Sequence, residues 1–224
     1  QIMERENKDM IVNMLYVRSS LERANESRRE MEAVNVKLLK QSETDQMTGL
    51  ANRYRLNAYS EKVLDYCYEH RLPLAMEILD IDFFKQYNDN YGHQQGDECI
   101  IAIANELKKM EDGQTFCARY GGDEFIIIYA GISAEEVHAK AGALRQNIMN
   151  LKLEHLYSKA LPIVTISQGI SYGVPEEGNR SWDFLHTADM LLYQVKKKSR
   201  NDICIADIRG QELDLSSKQE KVEP

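Results

Sequence analysis

Residues 116–130 read Phe-Cys-Ala-Arg-Tyr-Gly-Gly-Asp-Glu-Phe-Ile-Ile-Ile-Tyr-Ala, and this stretch decides the fold. Two apolar runs, Phe116–Tyr120 and Phe125–Ala130, flank Gly121-Gly122. Strand-forming residues on both sides of a glycine pair predict an antiparallel hairpin. A hairpin argues against a purely parallel sheet, so the helices around it must pack on a sheet that contains antiparallel strands.

Working outward, Leu74–Ile81 is a short apolar run after Pro73 and predicts a buried strand. Leu56, Tyr59, Val63 and Tyr66 step by three and four, which predicts a helix over 52–70. Cys99, Ile100, Ile103, Ala104 and Leu107 mark a second helix. After the hairpin, Ser133 and Glu136 form a capping box for a third helix carrying Val137, Ala141, Leu144, Ile148 and Leu151. Residues 162–173 are β-rich, Trp182 to Val195 form a fourth amphipathic helix, and Ile203–Ala206 is a last short strand. Past Arg209 the tail is polar, and fraying is expected.

Residues 1–44 lack Gly and Pro. Met3, Met10, Val17, Ala24, Met31 and Leu38 recur every seven residues, with Met14 and Leu21 on the companion seam and Asn7, Arg28 and Asn35 interrupting it. That period predicts a long coiled-coil helix that pairs with a second copy. The alternative is one amphipathic helix folded on its own domain. The expected organisation is an N-terminal helix over 1–44, a globular domain over 45–208 and a tail over 209–224.

Composition sets the bounds. The chain has 224 residues, 28 Lys+Arg against 36 Asp+Glu for a net charge of −8, 43% hydrophobic and 29% charged residues. Such a mix excludes a wholly disordered chain. It also argues against a duplex nucleic-acid partner, which would need a basic stripe. No run approaches the roughly 20 apolar residues that span a bilayer, and no leader pattern opens the chain. Cys67, Cys99, Cys117 and Cys204 show no metal-binding or paired spacing, so reduced thiols and a cytoplasmic setting are expected. The first residue is Gln rather than Met, from which we expect a piece of a longer protein whose upstream part is a sensor, a membrane-tethered one included.

Two constellations carry chemistry. Asp80 and Asp82 end the first strand, followed by Phe83, Phe84, Lys85, Asn88, Asp89, His93 and Asp97. Carboxylates two apart at a strand end point the same way unless the chain turns between them. Unpaired charge there is costly, and hard oxygen ligands suit Mg²⁺ or Ca²⁺, although the spacing of a calcium loop is absent. Solvated acids explain the pair equally well. The second constellation is Gly121-Gly122-Asp123-Glu124, where two acids enter an apolar strand directly from a tight turn.

Arg119–Phe125 reads RYGGDEF, which resembles the signature of GGDEF-domain diguanylate cyclases. Asp45–Arg53 (DQMTGLANR) is similar to that family's opening DxLTGLxNR, with Met47 where Leu is usual. Residues 80–89 (DIDFFKQYND) and 92–97 (GHQQGD) resemble its metal and guanine motifs. Residues 193–201 (YQVKKKSRN) resemble its closing YxAKxxGRN, with Val195 and Ser199 as departures. The resemblance spans about residues 42–207. It implies an α+β fold like that of nucleotide cyclases and polymerase palms, and an enzyme that condenses two GTP into cyclic di-GMP with release of two pyrophosphates.

The resemblance also implies roles. Asp80, the Ile81 carbonyl and Asp123 would hold Mg²⁺ (or Mn²⁺), with Glu124 as an additional ligand. Asp123 is the position usually proposed as general base, yet a carboxylate bound to a metal is a poor base. Lys85 would stabilise charge on the phosphoryl oxygens. The backbone N–H groups of Phe83 and Phe84, with Lys196 and Arg200, would cradle the β- and γ-phosphates. Asn88 and Asp97 match the guanine readers, and a carboxylate suits the N1–H and N2–H₂ donor pair that adenine lacks. His93 would line the base or ribose. Relatives that also accept ATP carry Ser where Asp97 stands, so the resemblance implies GTP alone. Many relatives have an inhibitory RxxD motif, whose window here is Asp112-Gly113-Gln114-Thr115, without the Arg or the Asp. A non-catalytic nucleotide receptor or dimerisation module is the alternative reading. A cyclase making cyclic mononucleotides is a third, and the signature motif argues against it.

Overall fold

The computed structural model describes residues 14, 18–29, 31–32, 34–35, 38, 43–211 and 213. The chain divides into two compact units, 1–43 and 44–224. In the first, residues 18–29 are helical, with exposed Arg18–Glu22 and Arg28–Glu32 pairs at 3.1 and 3.8 Å. Met14, Leu21, Met31 and Leu38 of the expected seams are exposed, whereas Met3, Met10 and Val17 lie outside the described residues.

The second unit runs α1 (Arg53–His70), β1 (Leu74–Ile81), α2 (Phe84–Tyr91), α3 (His93–Met110), β2 (Thr115–Gly121), β3 (Glu124–Ala130), α4 (Ala134–Asn150), β4 (Ile166–Gly173), α5 (Ser181–Lys198) and β5 (Ile203–Asp207). The five strands form one sheet in the order β2-β3-β1-β4-β5. β1 lies at its centre, antiparallel to β3 and to β4, and β4 pairs with β5 in parallel. The parallel pair follows from α5, whose length lets the chain cross over between β4 and β5. Each face of the sheet buries its own core. Ile100, Ile103 and Leu107 of α3 meet Val137, Leu144 and Ile148 of α4 over one face. Leu56, Val63 and Cys67 of α1 and Phe184 of α5 pack over the other. The architecture is the expected α+β sheet flanked by helices.

Four details depart from the sequence reading. Residues 84–91 form a helix, α2, which was not expected, and the next helix begins at His93 rather than near Cys99. A short polar helix with only Phe84 and Tyr87 buried gives little periodic signal. The β-rich stretch at 162–173 becomes a strand only from Ile166, because residues 162–165 belong to a connection held by the bridge Glu154↔Ile163. Beyond Arg209, the Leu213 N–H donates to Ile205 O at 3.4 Å and its side chain packs on the core, so that part of the tail is held. Residues 212 and 214–224 lie outside the described residues.

Among the described residues the four cysteines form no disulfide, and Cys67, Cys99 and Cys117 are buried. Among the described residues, no helix is long and apolar enough to cross a membrane.

Candidate active site

The site forms where β1 ends beside the hairpin. Gly122-Asp123 make a two-residue turn between β2 and β3, with Gly122 at φ +54°. A Cβ is strained in that region, so glycine suits this bend, and Asp123 is carried to its tip. The ladder then sets Glu124 directly opposite Asp80 of β1. Direct cross-strand partners share a face with Cβ atoms about 5 Å apart. Two acids far apart in sequence are thereby brought together by sheet register.

Asp80 is 7% exposed and pairs with Lys196 of α5 at 2.7 Å. Burial pushes its carboxyl up to about 6, the Lys196 ammonium opposes this, and the charges of Asp123 and Glu124 add to it. Glu124 is raised as well, by burial first, with Asp123 and Asp189 adding and Lys196 opposing. The rim therefore holds more negative charge than one ammonium balances. A cleft of about 240 Å³, lined by Glu124, Asp189, Tyr193 and Lys196, opens beside it.

Asp82 behaves differently. The chain turns immediately after it, with Phe83 in the left-handed region at φ +56°. Asp82 is fully buried and accepts from Thr165 Oγ1 at 2.8 Å, Ser167 Oγ at 2.7 Å and the Asn201 N–H at 2.9 Å, with Arg200 Nη1 at 3.5 Å. It ties the end of β1 to β4 and to the Arg200–Asn201 turn. Its place in the sequence motif carries no mark of this structural duty.

The turn places the remaining candidates. Phe83 precedes α2 with no side-chain cap, so the N–H groups there face outward from the helix start. The Arg200 guanidinium lies over the Phe83 ring at 4.2 Å. Lys85 stands exposed on the first turn of α2, and Asn88 follows one turn later on the same face. Asn88 Oδ1 is buried without a hydrogen-bond partner. Gly96 of α3 lies against it, and a Cβ there would come within 1.8 Å of that oxygen. Gly96 is therefore a site residue that the sequence reading passed over. Asp97 and His93 are exposed on the same first turns of α3. The base-side candidates Asn88, His93 and Asp97 thus gather between α2 and α3, and the phosphate-side candidates gather at the start of α2 and the end of α5.

A second lock holds the hairpin. Arg119 donates to Gly122 O through Nε at 3.1 Å and Nη2 at 2.8 Å, and its Nη1 reaches Asp45 Oδ1 at 3.2 Å. Asp45 also accepts from the Thr48 hydroxyl at 2.7 Å and the Thr48 N–H at 2.9 Å. Burial works against the Asp45 carboxylate, but those bonds and Arg119 outweigh it and hold its pKa below the usual value. The Arg119 N–H donates to Ala51 O at 2.9 Å, so the opening motif is stitched along β2.

The donor set also limits what ion could bind. Among the described residues no trio of His, Cys, Asp or Glu is placed to hold a metal by itself. Asp80 with Glu124 and neighbouring Asp123 supply hard oxygens from one rim. That suits an ion completed by water and by ligand phosphate rather than an all-protein cage, which is how Mg²⁺ is usually held.

Comparison with known proteins agrees with this geometry. Residues 42–202 match the family described as diguanylate cyclase, GGDEF domain. The chain is 35% identical over 163 residues to the probable diguanylate cyclase DgcC of Escherichia coli K12, covering 71% of this chain and 42% of that protein. It is 33% identical over 190 residues to the diguanylate cyclase DgcP of Pseudomonas aeruginosa, covering 83% of this chain and 28% of that one. The chain thus spans less than half the length of these curated relatives. The GGDEF domain of DgcB from Caulobacter crescentus, solved in complex with c-di-GMP, superposes with a TM-score of 0.66 at 29% identity, covering 73% of this chain and 92% of that one. The structure that adds the coiled coil of DgcB gives 0.67 at 28% identity, covering 82% and 97%. The shared motifs, the palm-like sheet and the acidic rim at the glycine bend have one explanation: this chain belongs to the GGDEF-domain diguanylate cyclase family.

Proposed function

We propose that the protein condenses two GTP into cyclic di-GMP and two pyrophosphates. The observation that carries the reading is the convergence of Asp80, Glu124 and Lys196 at the end of β1, beside the uncapped turn at Phe83. In each half-reaction the 3′-hydroxyl of one GTP attacks the α-phosphate of the other. A P–O bond to the 3′-oxygen forms, the bond to pyrophosphate breaks, and the hydroxyl proton leaves to a base or solvent. Such displacements depend mainly on positioning and on neutralising charge.

Asp80, the Ile81 carbonyl, Asp123 and Glu124 would hold a divalent ion, Mg²⁺ or Mn²⁺, which when bound would supply charge withdrawal from the phosphates and a lower pKa for the attacking hydroxyl. The protein supplies the rest. Phe83 and Phe84 N–H groups, Lys85 and Arg200 bind phosphate oxygens, and Lys196, already beside Asp80, turns to the same anion. The buried Asn88 Oδ1, without a partner among the described residues, accepts from the guanine edge, and Asp97 accepts from the N1–H and N2–H₂ pair. His93 lines the sugar or base. Asp123 serves the ion first, so its part as general base is secondary.

One subunit binds one GTP and supplies half a site, so turnover requires a two-fold dimer. The exposed Met14, Leu21, Met31 and Leu38 stripe of the N-terminal segment pairs with a second copy, under control of a sensor upstream. A cytoplasmic location follows from use of GTP. Incubation with Mg²⁺ and either GTP or ATP, with products separated by mass, tests the reading. Cyclic di-GMP and pyrophosphate are expected from GTP and no cyclic product from ATP. A dimeric protein that binds GTP but makes no product would favour the receptor alternative.

A further inference from the structure

Residues 151–165, between α4 and β4, form a strap rather than a loose loop. The His155 N–H donates to Pro162 O at 3.0 Å, the Val164 N–H to Leu153 O at 2.8 Å and the Ser158 N–H to His155 O at 3.1 Å. The strap grips α2 at both ends. His155 Nε2 lies 3.2 Å from the carbonyl oxygen of Phe83, and the Leu156 N–H donates to the Tyr91 hydroxyl at 3.0 Å.

His155 is fully buried, with Tyr87 edge-on at 5.1 Å and Tyr91 at 6.3 Å. A carbonyl only accepts, so Nε2 carries the hydrogen, and burial, which lowers the pKa of the ring, favours the neutral tautomer with a bare lone pair on Nδ1. That nitrogen is buried without a partner. Packing alone would favour Phe or Leu here, since an unpaired buried nitrogen is costly. The hydrogen bond to Phe83 is what the imidazole adds. The same carbonyl accepts the first helical bond of α2, from the Tyr87 N–H at 3.0 Å. Phe83 itself holds a left-handed φ of +56°, a conformation a bulky residue keeps only where its surroundings over-determine it. The Asp82 N–H to Thr165 O at 2.9 Å, the Arg200 stack and the His155 contact together fix this turn.

We propose that His155 is a positioning residue for the triphosphate: by holding the Phe83 carbonyl it aims the Phe83 and Phe84 N–H groups at the β- and γ-phosphates. The inference rests on the GTP reading above and adds to it a residue outside every motif quoted from the sequence.

The test compares GTP with GMP, which keeps the base and sugar but lacks the β- and γ-phosphates. Affinities are measured by calorimetry on the whole chain for wild type, His155→Phe, His155→Asn and His155→Gln. Phe removes the donor with an apolar ring and Asn withdraws it by shortening the side chain, so loss of folding in one leaves the other usable. Gln sets an N–H close to the position of Nε2. We expect GTP affinity to fall about ten-fold or more in the Phe and Asn variants. GMP affinity should change less than about two-fold in them, and Gln should restore GTP binding. Equal losses for GTP and GMP, unchanged GTP affinity, or a Gln variant as weak as Phe would each overturn the proposal. Wild-type protein that binds no GTP would overturn the nucleotide reading itself and this inference with it.

Discussion

Asp80 and Asp82 are two residues apart in one motif, yet the structure treats them oppositely. Asp82 is saturated, with two hydroxyls and a backbone N–H bound to it in full burial. Asp80 is nearly as buried but has one ammonium, faces Glu124 across the ladder and is pushed up to about 6. A carboxylate whose lone pairs are all met by the protein is architecture. One left with surplus negative charge around it is stable only at a cost that a cation or a bound phosphate complex relieves. The difference separates fold from chemistry within three residues.

Five substitutions break or sharpen that comparison. Asp80→Ala or Asp123→Ala should lower cyclic di-GMP formation by about 10²-fold or more, with a melting temperature near wild type, since each removes rim charge and little packing. Full turnover in either variant would sink the assignment of the rim. Asp82→Ala should act on the fold instead, costing about 3 kcal/mol because Thr165, Ser167 and the Asn201 N–H lose their acceptor together. At roughly 2–4 °C per kcal/mol for a chain of this size, thermal melts would resolve it.

Glu77 offers a third contrast, a fully buried acid at the centre of β1. It accepts from the Tyr129 hydroxyl at 2.8 Å and from Gln168 Nε2 at 2.7 Å, and burial pushes it up to about 7. A raised folded pKa means that ionisation is disfavoured in the native state. The Glu77 contribution to stability is therefore neutral below the unfolded value near 4.5 and falls as pH rises through about 7. Glu77→Gln should remove that slope and stabilise the protein at pH 8 by about 1–3 kcal/mol. Its amide can also serve Gln168 Oε1, which is buried without a partner. Denaturant midpoints at pH 5 and pH 8 check it, and an unchanged slope in the variant would refute the account. The smallest stability effect is expected at Arg200, half-exposed and 3.5 Å from Asp82. Arg200→Ala should cost about 1 kcal/mol or less in unfolding, while weakening GTP binding measurably.

Much of this was legible in the chain itself. The hairpin at 116–130, the capping box at Ser133 and the apolar strand at 74–81 follow local rules, and local rules are what a sequence displays. Both bonds of that capping box form, from the Glu136 N–H to Ser133 Oγ at 3.2 Å and from the Ser133 N–H to Glu136 Oε2 at 2.9 Å. The acids of the rim were legible only as a motif, because their meeting depends on register between β1 and β3. What escaped was non-local. The Asp82 anchor needs β4, the His155 strap needs α2, and the Asp45–Arg119 lock joins residues at opposite ends of the first half of the domain. None of these pairs has a spacing that betrays it.

The strand order β2-β3-β1-β4-β5 has a consequence for how the molecule is made. Both neighbours of the central strand are synthesised after it, β3 beyond two helices and β4 beyond a third. During translation β1 must wait with its hydrophobic side chains uncovered, first for the hairpin and then for the far half of the domain. Pairings that distant in sequence slow folding and expose a nascent chain to aggregation. The acidic rim comes into existence only when the hairpin closes on β1, so a ribosome-bound fragment ending before Glu124 carries Asp80 without the carboxylate that faces it across the ladder.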